Sequence, residues 1–208
     1  GLHSQMQPLG VYYVQDSDGR DLNPDLDLTR AHHFVLSFDQ SLPGNMRFKA
    51  ETYYQSIFDA PVSREAGNTF SMLNNVDGFV YDPLINNGLG RNYGLELTVE
   101  KFLTRGLYFL LSSSTYKSEY RDNAGVWRSS RFDGRFANTL TAGKEWTLER
   151  RGKNRVLGFN LKLVQMGGLR STPIDLEASR LAGEAVYDLS RAYSDQMPGY
   201  FRLDVGFR

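Results

Sequence analysis

The sequence predicts an all-β fold, an antiparallel up-and-down transmembrane β-barrel wall, and three observations predict it. Apolar and polar residues alternate with a period of two in segments of about ten residues, the length a tilted strand needs to cross a bilayer. The connections between these segments alternate between short and long. The composition is aromatic and glycine-rich, with 13% Phe, Trp and Tyr and 20 Gly, at a mean hydropathy of −0.45. A helical membrane protein would be far more apolar, whereas a wall with one lipid face and one wet face averages near this value.

Along the chain, Leu9, Val11 and Tyr13 predict a first strand before Gln15. Phe34, Leu36 and Phe38 alternate with Val35, Ser37 and Asp39. From Arg47 to Asp59 the row Phe48, Ala50, Thr52, Tyr54, Phe58 opposes Arg47, Lys49, Glu51, Gln55, Asp59. Tyr93, Leu95, Leu97 and Val99 oppose Gly94, Glu96, Thr98 and Glu100. Leu107 to Tyr116 and Phe136 to Trp146 are β-prone with weaker alternation. Leu157, Phe159, Leu161 and Leu163 oppose Gly158, Asn160 and Lys162, and Phe201, Leu203, Val205 and Phe207 oppose Arg202, Asp204, Gly206 and Arg208. These make about eight strands of the kind a membrane barrel uses.

The tight turns are Leu42-Pro43-Gly44-Asn45, Thr104-Arg105-Gly106 and Arg151-Gly152-Lys153-Asn154, whose Gly, Pro and Asn supply the backbone angles a hairpin needs. The long connections run Gln15 to Leu28, Val62 to Asn92, Arg121 to Arg135 and Ser171 to Gly199. Compact domains rarely hold so many of that length, whereas membrane barrels place short periplasmic turns on one rim and long extracellular loops on the other. Phe102, Leu107 and Trp146 near the short turns, and Tyr12, Tyr13, Tyr116, Tyr120 and Tyr200 near the long loops, are expected to form two interfacial girdles. The oily rows of Phe201, Leu95, Leu157 and Phe48 are expected to face outward, and Arg202, Glu96, Asn160 and Glu51 inward.

Several blocks go beyond pattern. Gly1 to Gln5 with Pro8 and Tyr12, Thr29 to Leu36, Gly90 to Phe102 with its Asn92-Tyr93-Gly94-Leu95-Glu96-Leu97 motif, Gly167 to Asp175, and Tyr200 to Asp204 together resemble the TonB-dependent outer-membrane receptors. The type resembled carries a carboxypeptidase-regulatory-like N-terminal domain. The resemblance implies that residues 1–208 are a partial wall of a larger barrel of about 22 strands, filled by a plug and closed by strands outside this sequence. It further implies a place in the bacterial outer membrane, with lipid, plug and remaining strands as partners. A scarce nutrient would be bound outside and imported with energy from a periplasmic TonB-type coupling protein reached through the N-terminal part. A surface lipoprotein partner is compatible with it. The start at Gly1 without an initiator Met carries the expectation of a fragment whose leader lies upstream.

Candidate chemistry is sparse. Lys+Arg and Asp+Glu are both 24, so electrostatics gives no reason to expect a nucleic-acid partner. Without cysteine there is no thiolate site and no disulfide. Asp16, Asp18 and Asp21 around Gly19, with Asp25 and Asp27, invite calcium but lack the EF-hand spacing, and a solvated turn with Asx hydrogen bonds is the preferred reading. His32 and His33 are adjacent on a strand and point to opposite faces, so packing is preferred to metal ligation. Glu96 and Glu100 share a face, where lumenal solvation is preferred to acid–base catalysis. Phe79, Tyr81, Trp127, Tyr187 and Tyr193 lie in long loops, where mutual packing is preferred to ligand contact. No phosphate loop, nucleophile elbow, dinucleotide fingerprint or zinc-helix motif occurs. The expectation is a non-enzyme with no catalytic, metal or cofactor-binding residue assigned and the ligand-binding residues undetermined. Two rivals stand beside it: a soluble calycin-like barrel around a small apolar ligand, with its oily rows turned inward, and a complete outer-membrane barrel of about eight strands acting as adhesin or enzyme.

Overall fold

The computed structural model describes residues 1–150 and 152–208; of the third predicted turn, Arg151 lies outside the described residues. The strands are β1 (Leu2–Gln5), β2 (Thr29–Leu42), β3 (Met46–Ser63), β4 (Leu84–Thr104), β5 (Leu107–Arg121), β6 (Trp127–Ser129), β7 (Phe136–Arg150), β8 (Lys153–Met166), β9 (Arg170–Ser171), β10 (Asp195–Gln196) and β11 (Tyr200–Phe207). Two short helices, α1 (Leu9–Tyr12) and α2 (Leu176–Ala182), and 3-10 turns at Met72–Asn74 and Leu189–Arg191 lie in the connections. One sheet runs β1-β2-β3-β4-β5-β7-β8-β11, with β6 continuing beside β5 and β9 paired with β10. Every neighbouring pair on that path is antiparallel, so the predicted up-and-down meander is the observed one.

Register carries face identity across the whole sheet, because directly paired residues of an antiparallel ladder project to the same side. Phe48 pairs with Val99 and Ala50 with Leu97; Val99 pairs with Leu111 and Leu97 with Ser113; Leu111 pairs with Leu140, Leu140 with Leu163, and Leu163 with Leu203. The rows of Phe48, Leu95, Leu157 and Phe201 therefore share one face, as alternation predicts. Glu51, Glu96, Asn160 and Arg202 share the other. The apolar face is bare, with Leu36 at 74% and Phe207 at 76% exposure.

The hairpins follow turn chemistry. Arg105 (φ 51°) and Gly106 (φ 75°) both lie in the left-handed region, as a two-residue turn with both central φ positive requires for right-twisted strands. A Cβ on Gly106 would stand 2.2 Å from the carbonyl oxygen of Glu145, and Glu145 N–H donates to the Gly106 carbonyl at 2.7 Å, so only glycine lets β7 approach the turn this closely.

Three expectations are corrected. Leu9, Val11 and Tyr13 belong to a helical turn, not a strand. Pro8 stands at its start, where a missing N–H costs nothing, its carbonyl accepts from Val11 N–H at 2.9 Å, and Val11 packs with Val80 and Leu84 in a small core. The first strand is instead Leu2–Gln5, which pairs with β2 from Leu2↔His32 to Gln5↔Thr29. Second, the connection predicted from Val62 to Asn92 is shorter, since β3 runs to Ser63 and β4 begins at Leu84. The Asn- and Gly-rich run 86–92 has loop composition but is held in the ladder, by β3 from Gly88 and by β5 from Leu89, with register shifts at Ile57/Ala60 and Ala60/Val62 and Asp59 at φ 57°.

Third, the tyrosines near the long loops do not form an outward girdle. Tyr12 and Tyr13 sit in or beside α1. Tyr116 pairs with Gly94 and Tyr120 with Gly90, and Tyr200 pairs with Met166, which places all three on the polar face. The aromatic row on the apolar face at that level is Phe34, Tyr54 and Tyr93, directly paired, with the two tyrosine rings stacked at 6.4 Å.

Candidate functional site on the polar face

The polar face is built from the even-numbered residues of β4 and β5 and the odd-numbered residues of β2 and β3. Near the short turns it is a charge ladder. Asp39 takes Arg47, which lies directly across from Glu100. Lys49 pairs with Glu51, whose cross-strand neighbour is Glu96. Glu100 thus lies across from Arg47, and Glu96 across from the Lys49-bound Glu51. Further along, Tyr108 lies across the glycine of its neighbour strand: a Cβ on Gly143 would meet the Tyr108 ring at 2.5 Å, and the phenol hydroxyl reaches Asn160 Oδ1 at 3.0 Å. Gly94 is roofed in the same way by Tyr53 and Tyr116.

Toward the long connections the ladder changes from charges to amides and hydroxyls. His33, Gln55, Asn92 and Ser118 form one cross-strand row. Asn92 Nδ2 donates to Gln55 Oε1 at 2.7 Å, and Gln55 Nε2 bonds His33 Nε2. Connecting segments fold onto this row. The 3-10 turn is capped by Ser71, whose hydroxyl accepts from Leu73 N–H at 3.3 Å, and it lays Leu73 against Gly90 and Ile57. Between them lies a groove of about 350 Å³ lined by Tyr53, Gln55, Ile57, Leu73, Asn92, Tyr116, Ser118 and Phe132. It continues along β1 to β3 through two further hollows that also contain Gln55 and His33. Such a surface offers hydrogen-bond donors and acceptors beside aromatic rings, with Glu119 at the groove and Glu51, Glu96 and Arg30 along the two further hollows.

A buried ionic node holds the connections over the groove. Asp133, fully buried, accepts from Lys117 Nζ at 2.7 Å, Arg170 Nε at 2.9 Å and Ser118 N–H at 3.2 Å. Burial alone would raise its pKa, but the donors from Lys117, Ser129 and Ser118 outweigh burial and hold the carboxyl below the usual range. Arg170 also reaches the Ser194 carbonyl at 3.1 Å, and Asn74 Oδ1 accepts from Arg131 N–H at 2.8 Å. Three connections are thereby locked to one another. Asp82 is shifted the other way: burial, then Glu65, pushes its carboxyl up.

The sequence candidates disperse. Asp16 Oδ1 accepts from the N–H groups of Asp18 and Arg20, both at 2.9 Å, which is an Asx-type turn; among the described residues no three His, Asp or Glu side chains converge on a metal-sized site. His32 stacks on Phe58 at 5.3 Å on the apolar face, whereas His33 meets His3 at 4.5 Å on the polar face. Trp127 lies under the Arg91 guanidinium at 4.3 Å, and Tyr193 meets Tyr120 edge-on at 5.8 Å, so these two rings pack. Phe79 abuts Gly10 yet remains 64% exposed, as Tyr81 does at 77%. Tyr187 lines a separate loop pocket. Alternation placed Gln55 on the polar face without marking it as part of a site, and nothing local to Asp133 or Arg170 announces their pairing.

The arrangement of bare apolar face, polar face with folded-in connections, and a meander of long strands has a counterpart among solved structures. The structure is similar to that of the FrpB iron transporter from Neisseria meningitidis (F3-3 variant), with a TM-score of 0.53 at 16% identity over 87% of this chain. The chain has the fold of an outer-membrane β-barrel wall. It spans about a quarter of that transporter, 24% of its length. No family model matches the sequence, and no curated protein does.

Proposed function

We propose that this chain is a wall segment of a TonB-dependent receptor of the bacterial outer membrane, binding a scarce nutrient from outside and passing it inward without bond chemistry. The observation that carries the reading is the register that collects the rows of Phe48, Leu95, Leu157 and Phe201 on one bare face while the connections fold against the other. Facing lipid, the bare rows are satisfied; facing water, so large a contiguous apolar surface would be an association hazard. Cations on that face agree. Lys101 Nζ bends to the Gly44 carbonyl and Lys144 Nζ to the Arg105 carbonyl, each at 2.8 Å, so both ammonium groups reach the rim of short turns as snorkelling side chains do. A soluble calycin-like barrel would turn the oily rows inward and wrap them around its ligand, and here the polar rows receive the loops instead.

In this reading β1 and β11 pair with further strands of the same receptor, because open edges do not survive in lipid. The polar face meets the plug and the nutrient path, the short turns are periplasmic, and the coupling protein acts through the receptor's N-terminal part. Iron is the cargo named for FrpB; the amide and hydroxyl groove suits a chelate, vitamin, glycan or peptide. The test is to express the longer reading frame with a signal peptide, fractionate membranes, and label cysteines at Ala66 and Asn45 in intact cells. Heat-modifiable outer-membrane protein labelled at Ala66→Cys and silent at Asn45→Cys is expected. A soluble, detergent-independent product would overturn the proposal.

A further inference from the structure

A second hollow, of about 380 Å³, lies away from the groove, within the connections themselves. Leu169, Leu189 and Met197 supply its apolar body, Tyr187 and Tyr193 its rings, and Arg131 and Arg170 its charges. Charge pairing around it is uneven. Arg128 is taken by Asp122 at 3.2 Å, Arg170 by Asp133 at 2.9 Å and Arg191 by Asp195 at 3.6 Å. Arg131 has no carboxylate partner among the described residues. Its backbone is committed, since its N–H donates to Asn74 and its carbonyl accepts from Arg170 N–H at 2.8 Å, so the residue is anchored at the pocket wall while its side chain, which lines the pocket, has no carboxylate partner among the described residues.

The wall opposite is preorganised. Tyr193 stands at φ 55°, a left-handed conformation costly for a bulky side chain. Thr172 Oγ1 holds it there by accepting from Tyr193 N–H at 3.2 Å, and Tyr120 supports its ring edge-on. Burial pushes the Tyr193 phenol up while the nearby Arg131 charge opposes the shift, which places phenol and guanidinium in one electrostatic neighbourhood.

We infer that this loop pocket is a binding site for a small organic anion with a flat apolar body, its carboxylate taken by Arg131 and its ring seated between Tyr187 and Tyr193 over the aliphatic floor. A guanidinium offers a planar fork that matches a carboxylate with two parallel hydrogen bonds, and ring and apolar contacts supply the rest. The inference deepens the receptor reading by naming a ligand class at its outer loops, and rests on that reading only for which side of the membrane the pocket faces.

The test uses the purified full-length protein in nanodiscs, equilibrium dialysis, and two probes of one shape, 2-naphthoate and the neutral 2-naphthalenemethanol. The anion is expected to bind about ten-fold more tightly than the alcohol, the scale of one charged hydrogen-bond pair. Arg131→Gln should remove that preference, Arg131→Lys should restore part of it, and Tyr187→Ala should weaken both probes alike. Heat-modifiable migration of each variant confirms its fold, and if Arg131→Gln fails to fold, the two-probe comparison on the unaltered protein decides alone. Equal binding of the two probes, absence of binding by either, or a preference that survives in folded Arg131→Gln would overturn the inference. Dialysis reads binding wherever the protein resides, so a soluble product in the fractionation experiment would remove the receptor reading without touching this one.

Discussion

Arg170 Nε donates to the Asp133 carboxylate at 2.9 Å with both side chains almost wholly buried. Thirty-seven residues separate them, and the contact joins the connection after β6 to the one after β8. A buried ion pair is costly to form from water, but once formed, removing one partner strands the other. Here the second cation, Lys117, shares the same oxygen, so one carboxylate answers two cations and its loss would leave both without a partner at this node.

Replacing Asp133 by Ala should therefore destabilise the loop assembly by about 3 kcal/mol, the range for breaking a buried pair from one side, while the strands below keep their ladder. Limited proteolysis should show new cuts within 122–135 and 170–199 in a barrel that still migrates heat-modifiably. A protease pattern unchanged from that of the unaltered protein would refute the role given to Asp133.

The same carboxyl predicts a pH response. Its folded pKa lies below the unfolded value because donors from Lys117, Ser129 and Ser118 outweigh burial. A group of this kind stabilises the fold fully above the ordinary carboxylate range, near pH 4, and loses that contribution as the pH falls through its lower folded value. Loop proteolysis should thus be flat from neutral pH down to about that point and rise below it, and Asp133→Asn should be sensitive throughout.

Two turn glycines separate backbone strain from crowding. Gly152 has φ 69° with open space where a Cβ would go, whereas Gly106 has φ 75° and a carbonyl oxygen at 2.2 Å. Gly152→Ala should cost about 1 kcal/mol for the left-handed backbone alone. Gly106→Ala should cost at least about 2 kcal/mol, because β7 must also retreat. Urea midpoints in lipid vesicles that rank the two the other way would show that the turn at 105–106 is looser than described.

The sheet was readable in sequence and the loop assembly was not, for physical reasons. A strand's face is a matter of parity, and Phe48, Leu97, Leu161 and Leu203 keep parity over whole segments. In β5 the polar-face Leu110 interrupts the pattern and the serines 112–114 blur it, so alternation does not reveal the face of Tyr116 and Tyr120, whose even positions oppose those of Phe109 and Leu111. Leu9, Val11 and Tyr13 alternate over too few residues to separate a strand from one helical turn. Gln55 and Asn92 could be assigned a face but not a partner, because their hydrogen bond spans 37 residues. Asp133, Lys117 and Arg170 meet only once the sheet has brought their strands together.

The reading of the faces stands or falls on neighbouring positions of β4. Leu97 lies midway along the apolar row, directly paired with Ala50 and Ser113, and Thr98 lies on the polar side between Lys49 and Ser112. An arginine at the depth of Leu97 would meet acyl chains, costing about 2–4 kcal/mol near the bilayer midplane. At Thr98 it would meet water, with Glu96 and Glu100 two residues to either side offsetting Lys49 directly across, at a cost within about 0.5 kcal/mol of zero. Reversible unfolding in vesicles should therefore separate Leu97→Arg from Thr98→Arg by about 1.5 kcal/mol or more on that same scale. The opposite ranking would put the oily rows inside, which is the geometry of a soluble binding barrel and incompatible with a lipid-facing wall.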